Sequence, residues 1–323
     1  MIQLQAKQKE TGPDTFDLSL HSLRIIFMGT PEFAVASLAA LIKAGYNIVG
    51  VITAPDKPGG RGMQLQQSAV KKYALEHSLK VLQPEKLKNL EFLAELKSLQ
   101  ADLQIVVAFR MLPEVVWNMP PMGSVNLHGS LLPQYRGAAP INWAVINGEN
   151  ETGVTTFKLK QEIDTGDILL QESFPIGEND TAGEVHDKMK EIGAQLLVKT
   201  VKSLADNSLK EQPQPETEIK HAPKINTETC RINWSQPVEI VFNLVRGLSP
   251  YPAAFTSMNE KMLKVYKAKK EITPPTHTEG EYETDGKTFL KFACANGYLH
   301  LQEIQLEGKK KMTIEEFLRG YRF

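Results

Sequence analysis

Leu23-Arg24-Ile25-Ile26-Phe27-Met28-Gly29-Thr30-Pro31-Glu32-Phe33 decides the fold. Leu23 to Met28 is a short apolar run of strand type, and Gly29-Thr30-Pro31 ends it. Phe33, Ala36, Leu38, Ala40 and Leu41 then recur at helical spacing as far as Gly45. Ile48 to Ile52 is the next strand. Strand, turn, helix and strand in that order predict a parallel α/β sheet.

The pattern continues outward. Val81-Leu82 reads as a short strand, Leu87 to Leu99 as a helix and Leu103 to Ala108 as a buried strand. Pro113 suits a first helical turn, so Pro113 to Trp117 predicts a short helix. Gly123 to Leu127 is a further strand and Ala139 to Ile146 a further helix. Val154 to Leu159 and Ile168 to Phe174 predict two strands, possible partners in a hairpin, flanking the loop 160–167. Thr181 and Glu184 have the spacing of a capping box, so a helix starts there and runs to about Leu204. Residues 206–223 hold three prolines among polar residues and read as a linker. Beyond it, Val238–Val245 reads as a helix. The alternating runs Ala253–Ser257, Met262–Ala268, Thr288–Cys294 and Tyr298–Glu303, punctuated by Gly280, Asp285-Gly286 and Asn296-Gly297, predict a small barrel. Residues 1–22 show no clear periodicity, and residues 1–23 are expected to be a flexible extension.

At 323 residues the chain is long enough for two domains. Its 41% apolar and 23% charged residues suit a folded soluble protein, and no apolar run approaches the ~18 residues of a membrane span. The start lacks a basic segment followed by an apolar one, so no secretory signal is read. Cys230 and Cys294 are the only cysteines and form no Cys-x-x-Cys, which fits the cytoplasm. From Pro223 onward there are 15 Lys and Arg against 12 Asp and Glu, and before it 22 against 26. The mildly basic tail hints at a polyanionic partner, although a mixed solvated surface gives the same count.

The densest polar stretch is Asn126-Leu127-His128-Gly129-Ser130-Leu131-Leu132-Pro133-Gln134-Tyr135-Arg136-Gly137, directly after a strand. Ligands of open parallel sheets bind beyond the carboxyl ends of the strands. Strand alternation puts Asn126 and His128 on one side, where an amide donor and a titratable imidazole converge. Taken alone, Asn-x-His is an ordinary polar strand end. Asp164-Thr165-Gly166-Asp167 is, taken alone, an ordinary turn, and it lacks EF-hand spacing. The remaining histidines are scattered without His-x-x-x-His, so no metal is expected. Gly29-Thr30-Pro31-Glu32-Phe33 is neither a dinucleotide fingerprint nor a Walker loop, and no Gly-x-Ser-x-Gly is present. Hydride transfer, phosphoryl transfer and serine hydrolysis all lack their signatures. The segment Pro55-Asp56-Lys57-Pro58-Gly59-Gly60-Arg61-Gly62 is long for a strand–helix connection and offers Lys57 and Arg61 on a glycine-rich tether.

Together, Arg24–Ala34, Pro55–Gly62, Asn126–Gly137 with Ala138-Ala139-Pro140-Ile141, and Thr152-Gly153-Val154-Thr155 leading to Asp164–Ile168 resemble the methionyl-tRNA formyltransferase family, from about residue 24 to the end. The resemblance implies a Rossmann-like formyltransferase domain over 24–205 with a mostly parallel sheet, a linker over 206–223, and an OB-like β-barrel domain over 224–323 that binds tRNA. It implies 10-formyltetrahydrofolate as co-substrate and methionyl-initiator tRNA as acceptor, and the chain is expected to be a cytoplasmic monomer with no membrane partner. Asn126, His128 and Asp164 fall on the family's catalytic positions, Ser130, Leu131, Leu132 and Pro133 on its folate-contacting segment, and Arg61, with Lys57 beside it, on its acceptor-stem loop. Arg110, Met111 and Leu112 are expected to border the pterin pocket, in a segment about one residue shorter than the family form.

In this scheme a free methionyl amine attacks the formyl carbon. Asn126, and His128 when protonated, donate to the oxyanion, while Asp164 holds and polarises His128. Lys264, Lys267, Lys269, Lys270 and 309–311 are candidates for a tRNA-phosphate surface. The same catalytic set would serve a formyltransferase for glycinamide ribonucleotide or an amino sugar, or a formyltetrahydrofolate hydrolase. A catalytically idle tRNA- or folate-binding protein is a further alternative. The Pro55–Gly62 loop and the ~100 residues after the linker favour the tRNA acceptor over the small ones.

Overall fold

The computed structural model describes residues 22–59 and 64–321. The expected extension lies outside them except at its end, where Leu23 is buried in the core. The first domain runs β1 (Arg24–Gly29), α1 (Glu32–Lys43), β2 (Asn47–Ile52), β3 (Lys57–Gly59), β4 (Gln64–Gln66), α2 (Ala69–Glu76), β5 (Val81–Leu82), α3 (Leu90–Ser98), β6 (Leu103–Val107), α4 (Glu114–Trp117), β7 (Ser124–His128), β8 (Arg136–Gly137), α5 (Pro140–Ile146), β9 (Glu151–Lys158), β10 (Ile168–Pro175) and α6 (Ala182–Ala205).

Seven strands pair in the order β10-β9-β7-β6-β1-β2-β5. The five from β5 to β7 are parallel, and the β9–β10 hairpin extends them antiparallel. Alternation along β1 sends Ile25 and Phe27 to one apolar layer and Ile26 and Met28 to the other. Both faces are therefore covered, as a parallel sheet requires. Leu38 and Leu41 of α1 and Val185, Met189 and Leu197 of α6 fill the first layer, and Phe92 and Leu96 of α3 the second. The α6 capping box is formed: Thr181 Oγ1 accepts from the Glu184 amide at 3.2 Å, and Glu184 Oε2 accepts from the Thr181 amide at 2.8 Å. From β1 the chain moves out through β2 to β5, then returns to the other side of β1 as β6 and β7. That reversal opens a crevice at the carboxyl ends of β1 and β6.

The second part runs β11 (His221–Ala222), α7 (Val238–Leu248), β12 (Ala254–Met258), β13 (Lys261–Glu271), β14 (Tyr282–Thr284), β15 (Leu290–Cys294), β16 (Gly297–Leu306), β17 (Met312–Thr313) and α8 (Ile314–Gly320). Its antiparallel sheet is ordered β12-β13-β16-β15-β14, with β17 on β16, and curls in OB-like fashion around a core of its own. The two domains meet where α5 packs on α7. Asn142 donates to the Gly247 carbonyl at 2.8 Å, and a Cβ on Gly247 would come 2.5 Å from Ile146.

Two expectations change. The Pro55–Gly62 tether is partly strand, because Lys57–Gly59 pairs antiparallel with Gln64–Gln66. The segment 206–223 is bonded into the first domain. Gln212 exchanges backbone hydrogen bonds with Ile168 at 2.7 and 2.9 Å, and His221–Ala222 pairs in parallel with Arg136–Gly137. Peptide groups need partners whatever their side chains, and these residues find them on β8 and at the start of β10. α2, β14 and α8 were not expected, although Thr313 and Glu316 form a capping box that marks the start of α8.

Candidate active site

A cavity of about 720 Å³ occupies the crevice, the size and place usual for a small-molecule site. Pro31 and Phe33 line it after β1, Val106 and 108–112 at and after β6, Asn126, Leu127, His128 and Gly129 on and after β7, and 159–164 after β9. Ala139, the residue capping α5, with Pro140–Asn142 of α5 and His186 of α6, lines it as well.

The structure brings Asn126, His128 and Asp164 together on this cavity. Asn126 and His128 are two apart on β7 and share a face. The Asn126 side-chain amide has no hydrogen-bond partner among the described residues, which leaves its N–H groups for a bound oxygen. His128 is only 7% exposed. Its Nε2 lies 2.9 Å from the Tyr135 carbonyl oxygen, which can only accept, so Nε2 carries a proton. Its Nδ1 faces Asp164 Oδ2 at 3.8 Å, too long for a direct hydrogen bond. In the neutral ring Nδ1 is therefore the free base.

Asp164 is placed from several directions. Its Oδ2 accepts from the Gly137 amide at 3.0 Å, and Gln214 Nε2 donates to its backbone carbonyl at 2.8 Å. Gly166, two residues on, has no room for a side chain, since a Cβ there would lie 1.6 Å from the Lys158 carbonyl oxygen. Asp164 (φ 54°), Tyr135 (φ 59°) and Ala108 (φ 46°) all sit in the left-handed region that non-glycine residues seldom occupy. All three line the cavity or hold a residue that does, and strained backbone of this kind concentrates at functional sites.

Tyr135 is the support that sequence reasoning missed. Its phenol donates to Glu149 Oε1 at 2.5 Å and accepts from Asn147 at 3.1 Å. Burial first, and then the Glu149 hydrogen bond, push its pKa up, so the phenol stays neutral. Burial pushes the Glu149 carboxyl up, but the Lys220 and Tyr135 hydrogen bonds outweigh it and hold that carboxyl below the usual range. Phe33 and His186, whose rings lie 5.2 Å apart, were also not anticipated on the wall.

The remaining expected residues fall in different places. Arg110, Met111 and Leu112 line the cavity, with Met111 73% exposed. The Arg110 guanidinium is turned aside onto the Pro84 and Glu85 carbonyls. Ser130, Leu131, Leu132 and Pro133 continue from Gly129 but do not line the cavity. Ser130, Leu132 and Pro133 are buried; Ser130 Oγ donates to the Gln134 carbonyl, and Thr155 Oγ1 accepts from the Leu132 amide. Lys57 is exposed on β3 and is not among the cavity-lining residues, and Arg61 lies outside the described residues.

Comparison with known proteins agrees with this architecture. The Formyl transferase family matches residues 23–201, and the family described as Formyl transferase, C-terminal domain matches residues 224–322. A methionyl-tRNA formyltransferase of Bacteroides fragilis is 53% identical over 310 residues, covering 93% of this chain and 95% of that protein. One of Parabacteroides distasonis is 55% identical over 311 residues, covering 93% and 96%. Among solved structures, the sugar 3N-formyl transferase WlaRD superposes with a TM-score of 0.67 at 22% identity, over 90% of this chain and all of that one. HypX from Aquifex aeolicus, solved with tetrahydrofolic acid, superposes with a TM-score of 0.64 at 19% identity, over 92% of this chain and 48% of that one. The structural likenesses show a shared fold. The sequence likeness runs through both domains, and by it this chain belongs to the methionyl-tRNA formyltransferase family.

Proposed function

We propose that this chain transfers the formyl group of 10-formyltetrahydrofolate to the α-amino group of methionyl-initiator tRNA, as a cytoplasmic monomer. The observation that carries this is the identity of more than half with methionyl-tRNA formyltransferases across both domains. A sugar acceptor would not call for that likeness, and the sugar enzymes share only the fold. Asn126, His128 and Asp164 come from one chain, so a monomer suffices for the chemistry.

The formyl carbon sits over β7, and the methionyl amine attacks it as a free base. Asn126 donates a hydrogen bond to the formyl oxygen as it becomes negative; one such donor is typically worth ~10²–10³ in rate. Nδ1 of His128 takes the proton lost by the attacking nitrogen. The imidazolium so formed is stabilised by the Asp164 carboxylate, while Nε2 remains bonded to Tyr135. The imidazolium then protonates N10 of the folate, which leaves as the tetrahedral intermediate collapses to the formamide. The 3.8 Å between Nδ1 and Oδ2 lets the ring serve the reactants rather than lock onto the carboxylate. Ala108–Leu112 borders the pterin. Ser130–Pro133 contacts the folate through backbone or through Leu131, because the buried side chains of Ser130, Leu132 and Pro133 are committed inward. Lys57 and Arg61 meet the acceptor stem, and residues 224–323 hold the tRNA by its phosphates.

The test offers the purified protein 10-formyltetrahydrofolate with charged initiator tRNA, with an amino sugar nucleotide, or with no acceptor. Formylmethionyl-tRNA as the main product supports the proposal; a formylated sugar or free formate as the main product refutes it.

A further inference from the structure

The turn that carries Asp164 hangs from the segment joining the two domains. Gln214 Nε2 donates to the Asp164 carbonyl at 2.8 Å and to the Gly166 carbonyl at 2.9 Å. Its Oε1 accepts from Arg136 Nε at 3.1 Å and Nη2 at 2.5 Å. Neither end of this amide can be reversed, because a guanidinium offers no acceptor and a carbonyl no donor. Arg136 precedes Gly137, whose amide binds the Asp164 carboxylate at 3.0 Å. One side chain thus fixes the backbone of Asp164 and, through Arg136, the strand that fixes its carboxylate. Asp164 is held at φ 54°, in the left-handed region, which aspartate visits more readily than most non-glycine residues and which the hydrogen bonds around it fix here. The same segment reaches the other half of the catalytic pair. The Lys220 carbonyl accepts from the Tyr135 amide at 2.6 Å, and the Tyr135 carbonyl accepts from His128.

We propose that Gln214 is a positioning residue: without touching either reactant, it holds Asp164 at its working distance from His128, with residues 212–222 acting as a brace across the catalytic loops. This rests on the role given to Asp164 above.

Four full-length proteins decide it: Gln214→Met, which keeps length but makes no hydrogen bonds; Gln214→Glu, which keeps the acceptor for Arg136 but sets a carboxylate against two carbonyls; Asp164→Ala; and Asp164→Ala with Gln214→Met. The expected result for Gln214→Met is kcat lowered about tenfold or more, with KM for folate and tRNA within about twofold of wild type. Gln214→Glu falls at least as far, although its pairing with Arg136 survives; should the Met variant not fold, it supplies the same measurements. In the Asp164→Ala background, Gln214→Met changes kcat less than about twofold, since the group it positions is gone. Wild-type kcat in both Gln214 variants, a loss confined to KM, or a loss that multiplies onto that of Asp164→Ala overturns the inference alone. If Asp164→Ala itself turns over normally, the catalytic role of Asp164 falls and the inference with it.

Discussion

Nε2 of His128 lies 2.9 Å from the backbone carbonyl oxygen of Tyr135, and in the proposed mechanism this contact decides which edge of the imidazole does chemistry. A backbone acceptor cannot be titrated away, so the ring keeps Nε2–H and leaves Nδ1, the atom facing Asp164, for the proposed proton transfer. Donation to the oxyanion then falls to Asn126. Asn126→Asp, nearly the same shape, replaces that donor with a carboxylate. We expect kcat to fall by a hundredfold or more, on the order of one lost oxyanion donor with repulsion added, while folate affinity changes little. Single-turnover rates and folate titrations check this. A rate within tenfold of wild type would remove Asn126 from the oxyanion.

The Gly166 position has no space for a methyl group. In Gly166→Ala the Lys158 carbonyl must move, since the new carbon would lie 1.6 Å from it. Overpacking of this kind costs about 1–3 kcal/mol or more, so the thermal midpoint should fall by several degrees. Activity should fall further than stability, because the displaced turn carries Asp164. Calorimetry beside kcat measures the two effects, and an unshifted midpoint with full activity would contradict the geometry.

Electrostatic contact with tRNA predicts a salt signature. Lys267 and Lys269 are exposed on β13, and changing both to Glu should weaken tRNA binding. If each neutralises one phosphate, the slope of log K against log salt should become shallower by about 2. Arg61→Ala should cut kcat/KM for methionyl-tRNA severely, and Arg61→Lys should restore only part of it, because a lysine lacks the planar fork. Folate affinity should hold in all three. Binding isotherms at several salt concentrations test the β13 pair, and folate titrations test the loop. A loss of folate affinity equal to that of tRNA would separate Arg61 from acceptor-stem recognition.

Burial pushes the Cys294 thiol up to about 12, and burial likewise raises that of Cys230. Only the thiolate is nucleophilic, and at pH 8 a thiol of that pKa is ionised to about one part in ten thousand. Neither cysteine should react with an aromatic disulfide reagent in the native protein at pH 8, and both should react at once in denaturant. Rapid labelling of the folded chain would contradict the burial described for these residues.

Much of this site could be read from residue order. The apolar run 23–28, the break at Gly29-Thr30-Pro31 and the helical spacing after it define β1 and α1, because period and turn chemistry are local properties. Asn126 and His128 share a face because they are two apart on a strand. The approach of Asp164 to His128 across 36 residues has no local signal, and the family resemblance supplied it. Tyr135 and Gln214 escaped for a different reason. What they contribute is hydrogen bonding to or from backbone groups, and such pairing leaves no mark in composition; a polar, proline-rich stretch looks the same whether it brackets the turn of Asp164 or hangs free. Which ring nitrogen His128 leaves free was equally invisible, since it depends on where the carbonyl of a left-handed Tyr135 points.

In the proposed mechanism Asn126, His128 and Asp164 together transfer the formyl group. Its most direct test is the single-turnover rate of formylmethionyl-tRNA formation by His128→Ala, at saturating folate and tRNA and with the fold verified by circular dichroism. We predict a fall of a hundredfold or more with both substrates still bound, as expected on losing the proton carrier. A His128→Ala protein that folds and transfers formyl at near the wild-type rate would contradict the account.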